Sequence, residues 1–222
     1  LIMNALVMYD HQTRTLWSQF LSRAVKGTLA GRELEIVPVV QTTWERWLRE
    51  HPDTLALRKT RGGGIDPYLG YYVSNAAGVI GESNRDARLE PKDKVLGMGF
   101  DDGAKAFPLN VLRSKQVVND SVAGESVVVY FEPATETALA YSRTVSGRTL
   151  TFELVVEDDG LELLRDTGTG TTWLPFTGRA LDGELAGQQL ARARSVVSFW
   201  FAWSDFYPET ELFLDPPALT AR

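Results

Sequence analysis

The chain has 222 residues, 44% hydrophobic and 23% charged, with six Trp and no Cys, a composition that excludes collagen-like, low-complexity and wholly disordered classes. The 23 basic and 29 acidic residues leave a net charge of −6, and the longest basic cluster is Arg58-Lys59-Thr60-Arg61, so no nucleic-acid partner is expected. Without Cys these residues hold no disulfide, thiol nucleophile or thiolate metal site, and no apolar stretch approaches the roughly 20 residues that span a bilayer.

In chain order, residues 5–9 form a short apolar run that predicts a strand. The turn-forming Asp10-His11-Gln12-Thr13 follows, then a strand bearing Trp17, which makes a hairpin. Gly27 and Gly31 punctuate a loop. Thr42-Thr43-Trp44-Glu45 has the Ser/Thr-x-x-Glu spacing that opens a helix. That helix would carry Trp44, Trp47 and Leu48 on one face and stop before Pro52. Residues 61–92, rich in Gly, Asn and Pro, read as a surface connection. Strands are expected over 95–100, 104–108, 126–131, 139–143 and 150–156, with hairpin turns at Asp101-Asp102-Gly103 and Ser146-Gly147. Residues 161–165 then give a strand, Asp166-Thr167-Gly168-Thr169 a turn and Trp173 a second strand. Gly183 and Gly187 mark a loop, and Ser198 is expected to cap a helix bearing Trp200 and Trp203.

The last elements repeat the first. Trp17 and Trp173, Trp44 and Trp200, and Trp47 and Trp203 are each 156 positions apart, and residues 10–57 match 166–213 without gaps at 17 of 48 positions. Chance does not give that agreement, and a fixed long period is the mark of a repeated unit. The expected fold class is mainly β (β-rich α+β), a tandem duplicated β-module with one short Trp-bearing helix per module. Residues 1–60 read as the C-terminal half of a first module, 61–92 as the connection and 93–215 as a complete second module. The polypeptide is therefore expected to extend ahead of Leu1. In the second helix Phe201 and Asp205 replace Glu45 and Arg49, so it should be the more buried. The helical spacing of the paired Trp makes them core anchors in this reading.

Candidate chemistry is sparse. Asp166-Thr167-Gly168 resembles the Asp-Thr-Gly of aspartic proteases, but its partner Asp10 lacks the Gly and Arg165 precedes Asp166, so a pair of Asx turns explains both. His11 and His51 have no ligand-spaced partners, and the counterpart of His51 is Tyr207. Gly-x-Ser-x-Gly is absent, Arg61-Gly62-Gly63-Gly64 lacks the phosphate-gripping Gly-Lys-Ser/Thr, and the acidic doublets Asp101-Asp102 and Asp158-Asp159 read as turns. No catalytic, cofactor-binding or metal-ligating residue is assigned, and no cofactor is expected.

Asn4-Ala5-Leu6-Val7-Met8-Tyr9-Asp10, Leu16-Trp17-Ser18-Gln19 and Thr42-Thr43-Trp44-Glu45-Arg46-Trp47 resemble domain-of-unknown-function family 3179, as do Asp66-Pro67-Tyr68 and Trp200-Phe201-Ala202-Trp203 with Phe206-Tyr207-Pro208-Glu209-Thr210. The family occurs in bacteria and archaea and is uncharacterised. Because many members are exported or membrane-anchored, the resemblance implies an extracellular, cell-surface or periplasmic place. The family's front segment runs Ala-Tyr-Pro, Trp-His-Glu, Val-Asn-Asp and Cys-Pro. Here Ala106-Phe107-Pro108, Val118-Asn119-Asp120 and Glu132-Pro133 echo it, with Lys115 in place of the His and Glu132 in place of the Cys. Lys and Glu do not substitute for imidazole and thiolate as metal or redox groups. Three readings follow. The first is a non-catalytic binding or assembly module, with other subunits or self-assembly as partners. The second is the scaffold of a metal or redox protein whose Cys/His site lies upstream of Leu1. The third is a carbohydrate-binding module using exposed Trp.

Overall fold

Residues 3–58, 66, 68–158 and 160–214 are described by a computed structural model of the chain. Strand residues exceed helical ones, 35% to 11%, as a mainly β reading requires. Three antiparallel strands, β1 (Val7–Tyr9), β2 (Leu16–Ser18) and β3 (Arg23–Lys26), form the first sheet. The helices α1 (Trp44–Glu50) and α2 (Leu69–Val73) follow. The hairpin β4 (Lys94–Phe100) and β5 (Gly103–Pro108) leads through the short α3 (Leu109–Leu112) into β6 (Val117–Val122), β7 (Glu125–Glu132) and β8 (Thr137–Ser142). A two-stranded hairpin, β9 (Thr144–Val145) with β10 (Arg148–Thr149), precedes the sheet of β11 (Phe152–Val156), β12 (Glu162–Asp166) and β13 (Thr172–Trp173). The chain then returns as β14 (Val196–Phe199) beside β4, continues as α4 (Trp200–Phe206), and adds β15 (Glu211–Leu212) parallel to β5.

Alternation along the strands stacks these elements. On β7, Val127, Val129 and Phe131 face one core with Leu96, Met98 and Phe107 of the β4–β5 hairpin. Val128 and Tyr130 face another with Phe152, Leu164 and Trp173 of the β11–β13 sheet. A strand buried on both faces reads as an unbroken apolar run, which is what Val127–Phe131 is. Beyond β4, Val95 and Ala106 pack on Trp200 and Trp203 of α4. The first segment joins the rest through aromatic and apolar contacts, and through Asn4 Nδ2, which donates to Gly81 O. Phe20 packs edge-on against Phe206, 5.1 Å between ring centres, and lies 5.9 Å from Trp203. Val40 and Trp47 pack partly buried against the Trp173 core.

Several residues 156 apart make the same bonds. Thr13 N and Thr169 N donate to Asp10 and Asp166, and Leu29 N and Leu185 N to the hydroxyls of Thr15 and Thr171. Trp47 Nε1 reaches Thr54 Oγ1 at 2.9 Å, and Trp203 Nε1 reaches Thr210 Oγ1 at 3.0 Å. Gly27 and Gly183 have positive φ, and a Cβ on either would lie 2.8 Å from Thr15 Cα or Thr171 Cα, so only glycine fits.

Several expectations need correction. Trp173, Trp200 and Trp203 are in the core, but Trp44 is 51% exposed and Trp17 and Trp47 are only partly buried. The helix cap is Thr43, whose hydroxyl accepts from Arg46 N, while Thr42 Oγ1 accepts from Thr137 Oγ1. At α4 Ser198 caps nothing: it pairs with Val95 in β14, and the cap position falls on Phe199, which makes no side-chain bond. The connection over 61–92 does more than link. It includes α2, and its later part straps α4, with Ser83 N and Asn84 N donating to Asp205 Oδ1 and Trp200 Nε1 to Asp86 O. Arg61-Gly62-Gly63-Gly64 and Asp159 lie outside the described residues.

Candidate functional site

Glu132, which the resemblance sets where a Cys would stand, closes β7. The α1 helix brings Arg46 to it, with Nε 2.9 Å from Glu132 Oε1 and Nη1 2.8 Å from Glu50 Oε1 one turn on. The guanidinium also lies over the Phe176 ring at 4.1 Å, a stacked position that suits its planar charge. Burial works to lower the Arg46 pKa, but the hydrogen bonds and charges of Glu50 and Glu132 outweigh it and leave it raised. The cation is fixed. On the other side Thr135 Oγ1 donates to Glu132 Oε2 and Thr137 Oγ1 donates to Thr42 Oγ1 at 2.7 Å, with the Thr135 and Thr137 hydroxyl oxygens 2.6 Å apart. A hydrogen-bonded carboxylate and guanidinium thus join the first segment to the end of the β7–β8 hairpin.

Lys115 is exposed in the turn between α3 and β6. The register Val117↔Tyr130, with Phe131 N donating to Gln116 O, puts it at the same end of the β6–β7 pair as Glu132. Of the Val118-Asn119-Asp120 motif, Val118 is in the core. Asn119 clamps Phe152 of β11 through both its N–H and C=O, and Asp120 pairs with Lys105 at 2.8 Å. Each contact ties one strand to another. Below them Tyr130 OH donates to Glu162 Oε2 at 2.5 Å, and burial followed by that carboxylate pushes the phenol well above its usual range.

The two aspartates hold their own turns. Asp166 is fully buried; burial alone would raise its pKa, but donation from the Thr169 hydroxyl and the N–H groups of Thr169, Gly168 and Thr151 holds it low. Asp10 is lowered to about 2, first by Thr13 N–H and its hydroxyl, and it also accepts Trp17 Nε1 at 3.1 Å. Carboxylates occupied in this way are turn anchors. His51 ends α1 and lies against Trp47, 4.2 Å between ring centres, while His11 lies by Tyr9. Asp101 and Asp102 form the β4–β5 turn. Among the described residues, no group of three or more His, Asp or Glu is placed to hold a metal ion.

A cleft of about 510 Å³ runs along the seam between the segments, lined by Phe20, Ile36, Val37, Arg192, Arg194 and Tyr207 among others. Its arginines are structural ties. Arg194 Nη2 donates to Phe20 O and Arg192 Nη2 to Phe176 O, both at 2.8 Å. Sequence reasoning missed both, and missed Arg46, whose only signal was Glu50 four residues on.

The sequence model of one family, described as a protein of unknown function (DUF3179), matches residues 1–210, nearly the whole chain. The chain therefore belongs to that family. No curated protein matches it, and no solved structure matches it. Among the described residues no helix is long and apolar enough to cross a membrane.

Proposed function

We propose that this member of the DUF3179 family is a non-catalytic assembly module, built from a duplicated β-unit and belonging to an exported or cell-surface protein. The observation that carries the reading is the state of Glu132. At the position where the resemblance sets a Cys stands a carboxylate whose two oxygens are bonded to Arg46 and Thr135. The shared bonds of residues 156 apart support the duplication, and the exported location rests on the family resemblance alone. The test is a double-mutant cycle on Arg46→Ala and Glu132→Ala with metal analysis of the purified protein. The reading predicts a coupling of about 1–3 kcal/mol in unfolding and no stoichiometric transition metal. A bound metal lost in Glu132→Ala would overturn it.

The carbohydrate-binding reading is favoured by one observation, the 51% exposure of Trp44, since an exposed indole can stack on a sugar face. Quenching of Trp44 emission by soluble oligosaccharides would support it.

A further inference from the structure

We propose that the cleft between residues 34–39 and the face formed by β4 and α4 binds a small organic anion, a monocarboxylate with an apolar body, whose head is held by Arg192 and Arg194. The proposal goes beyond the assembly reading and does not depend on it. The two arginines stand on a stretch that runs beside β8, where Ser142 N donates to Ala191 O, Ala193 N donates to Ala140 O, and Arg192 bridges to Tyr141. Side chains alternate along extended backbone, so positions 192 and 194 share one side. Ala193 packs instead against the core around Leu96 and Phe107. Both arginines line the cleft.

Each guanidinium is only partly satisfied. Arg192 Nη2 donates to Phe176 O and Arg194 Nη2 to Phe20 O, which uses one of the five N–H groups that each carries. Arg46, also partly buried, has two carboxylates, whereas among the described residues no carboxylate pairs with Arg192 or Arg194. Arg192 is stacked on the Tyr141 ring at 4.6 Å, and burial pulls its pKa below the ordinary range. A charge taken out of water is costly without a counter-charge. Much of the remaining wall is apolar: Phe20, Ile36, Val37, Val196, Trp203 and Tyr207 help enclose about 510 Å³, a volume suited to a small molecule. Glu35 is the acidic residue on the wall, and it is exposed. Glu33 and Asp101 line the adjoining hollow of about 180 Å³, where Arg23 stands with them. Two arginines against one carboxylate leave the larger cleft positive, and its apolar wall favours an anion with a hydrocarbon body over inorganic phosphate.

The experiment titrates octanoate into the 222-residue chain by calorimetry, with 1-octanol, acetate and inorganic phosphate as controls for tail and head. Octanoate should bind once per chain, and each control about 10-fold more weakly or worse. Arg194→Gln should weaken octanoate about 10- to 100-fold, as for a lost hydrogen bond to a charged group. Because Arg194 also holds Phe20, a second pair of variants leaves both arginine ties in place. Ile36 is 43% exposed, and Ile36→Glu should bind octanoate about 5-fold more weakly than Ile36→Gln. If Arg194→Gln does not fold, the Ile36 pair decides. No saturable binding, a control that binds as tightly as octanoate, unchanged affinity in a folded Arg194→Gln, or equal affinity in the two Ile36 variants overturns the proposal.

Discussion

The α1 and α4 helices have equal length, the same Trp spacing and the same C-terminal bond, yet no residue of α1 is buried, whereas every residue of α4 but Phe206 is. Their own residues explain part of this, because Glu45 and Arg49 form an exposed ion pair on α1 where α4 has Phe201 and Asp205. The larger difference lies in the neighbours. The α4 helix rests on β4, is strapped through Asp205 and Trp200 by residues 83–86, and receives Phe20 from the first segment. The α1 helix has the reciprocal cross-contact, Phe176 under Arg46, and otherwise lays Trp47 partly buried against the Trp173 core and ties Arg46 to Glu132. Burial of an amphipathic helix is set by its partners, with the same local code beneath.

The sharpest way to break this comparison is to truncate the paired indoles. Trp200→Ala removes a fully buried side chain and its bond to Asp86 O, and should cost about 3–5 kcal/mol in urea unfolding. Trp44→Ala should cost under about 1 kcal/mol, as for an exposed site. Equal costs would show that the helices have equivalent surroundings. A smaller effect tests the loops. Gly178 has φ +75° and lies against Tyr141, 2.6 Å from where a Cβ would be, so Gly178→Ser should cost about 1–3 kcal/mol. Its counterpart Ser22 holds φ +51°. Ser22→Gly relieves that backbone and should change thermal stability by less than about 1 kcal/mol, in the stabilising direction.

Much of the fold was legible because its signals are local. The hairpins at Asp101-Asp102-Gly103 and Ser146-Gly147, the strand cores of β4, β7 and β11, and a helix opening within one residue of Thr42 follow from turn chemistry and alternation. The β14 strand was not legible. Its counterpart reads as a helix entrance, and only β4, about a hundred residues earlier, makes Val196–Phe199 a strand. Trp44 was misplaced for the converse reason: helical spacing marks an apolar face without saying whether anything covers it. At the candidate site the sequence located Glu132 and Lys115, but the closing of Glu132 by Arg46, 86 residues away, is a tertiary fact that no local pattern carries.

The most direct test is the exchange of two matched amides in the 222-residue chain. His51 N donates to Trp47 O at 3.0 Å and Tyr207 N to Trp203 O at 2.8 Å, so their local bonds are the same. If surroundings decide, the Tyr207 amide exchanges only through near-global opening, and the His51 amide exchanges on the order of 100-fold faster or more through local fraying. Equal protection of the two amides would contradict the account.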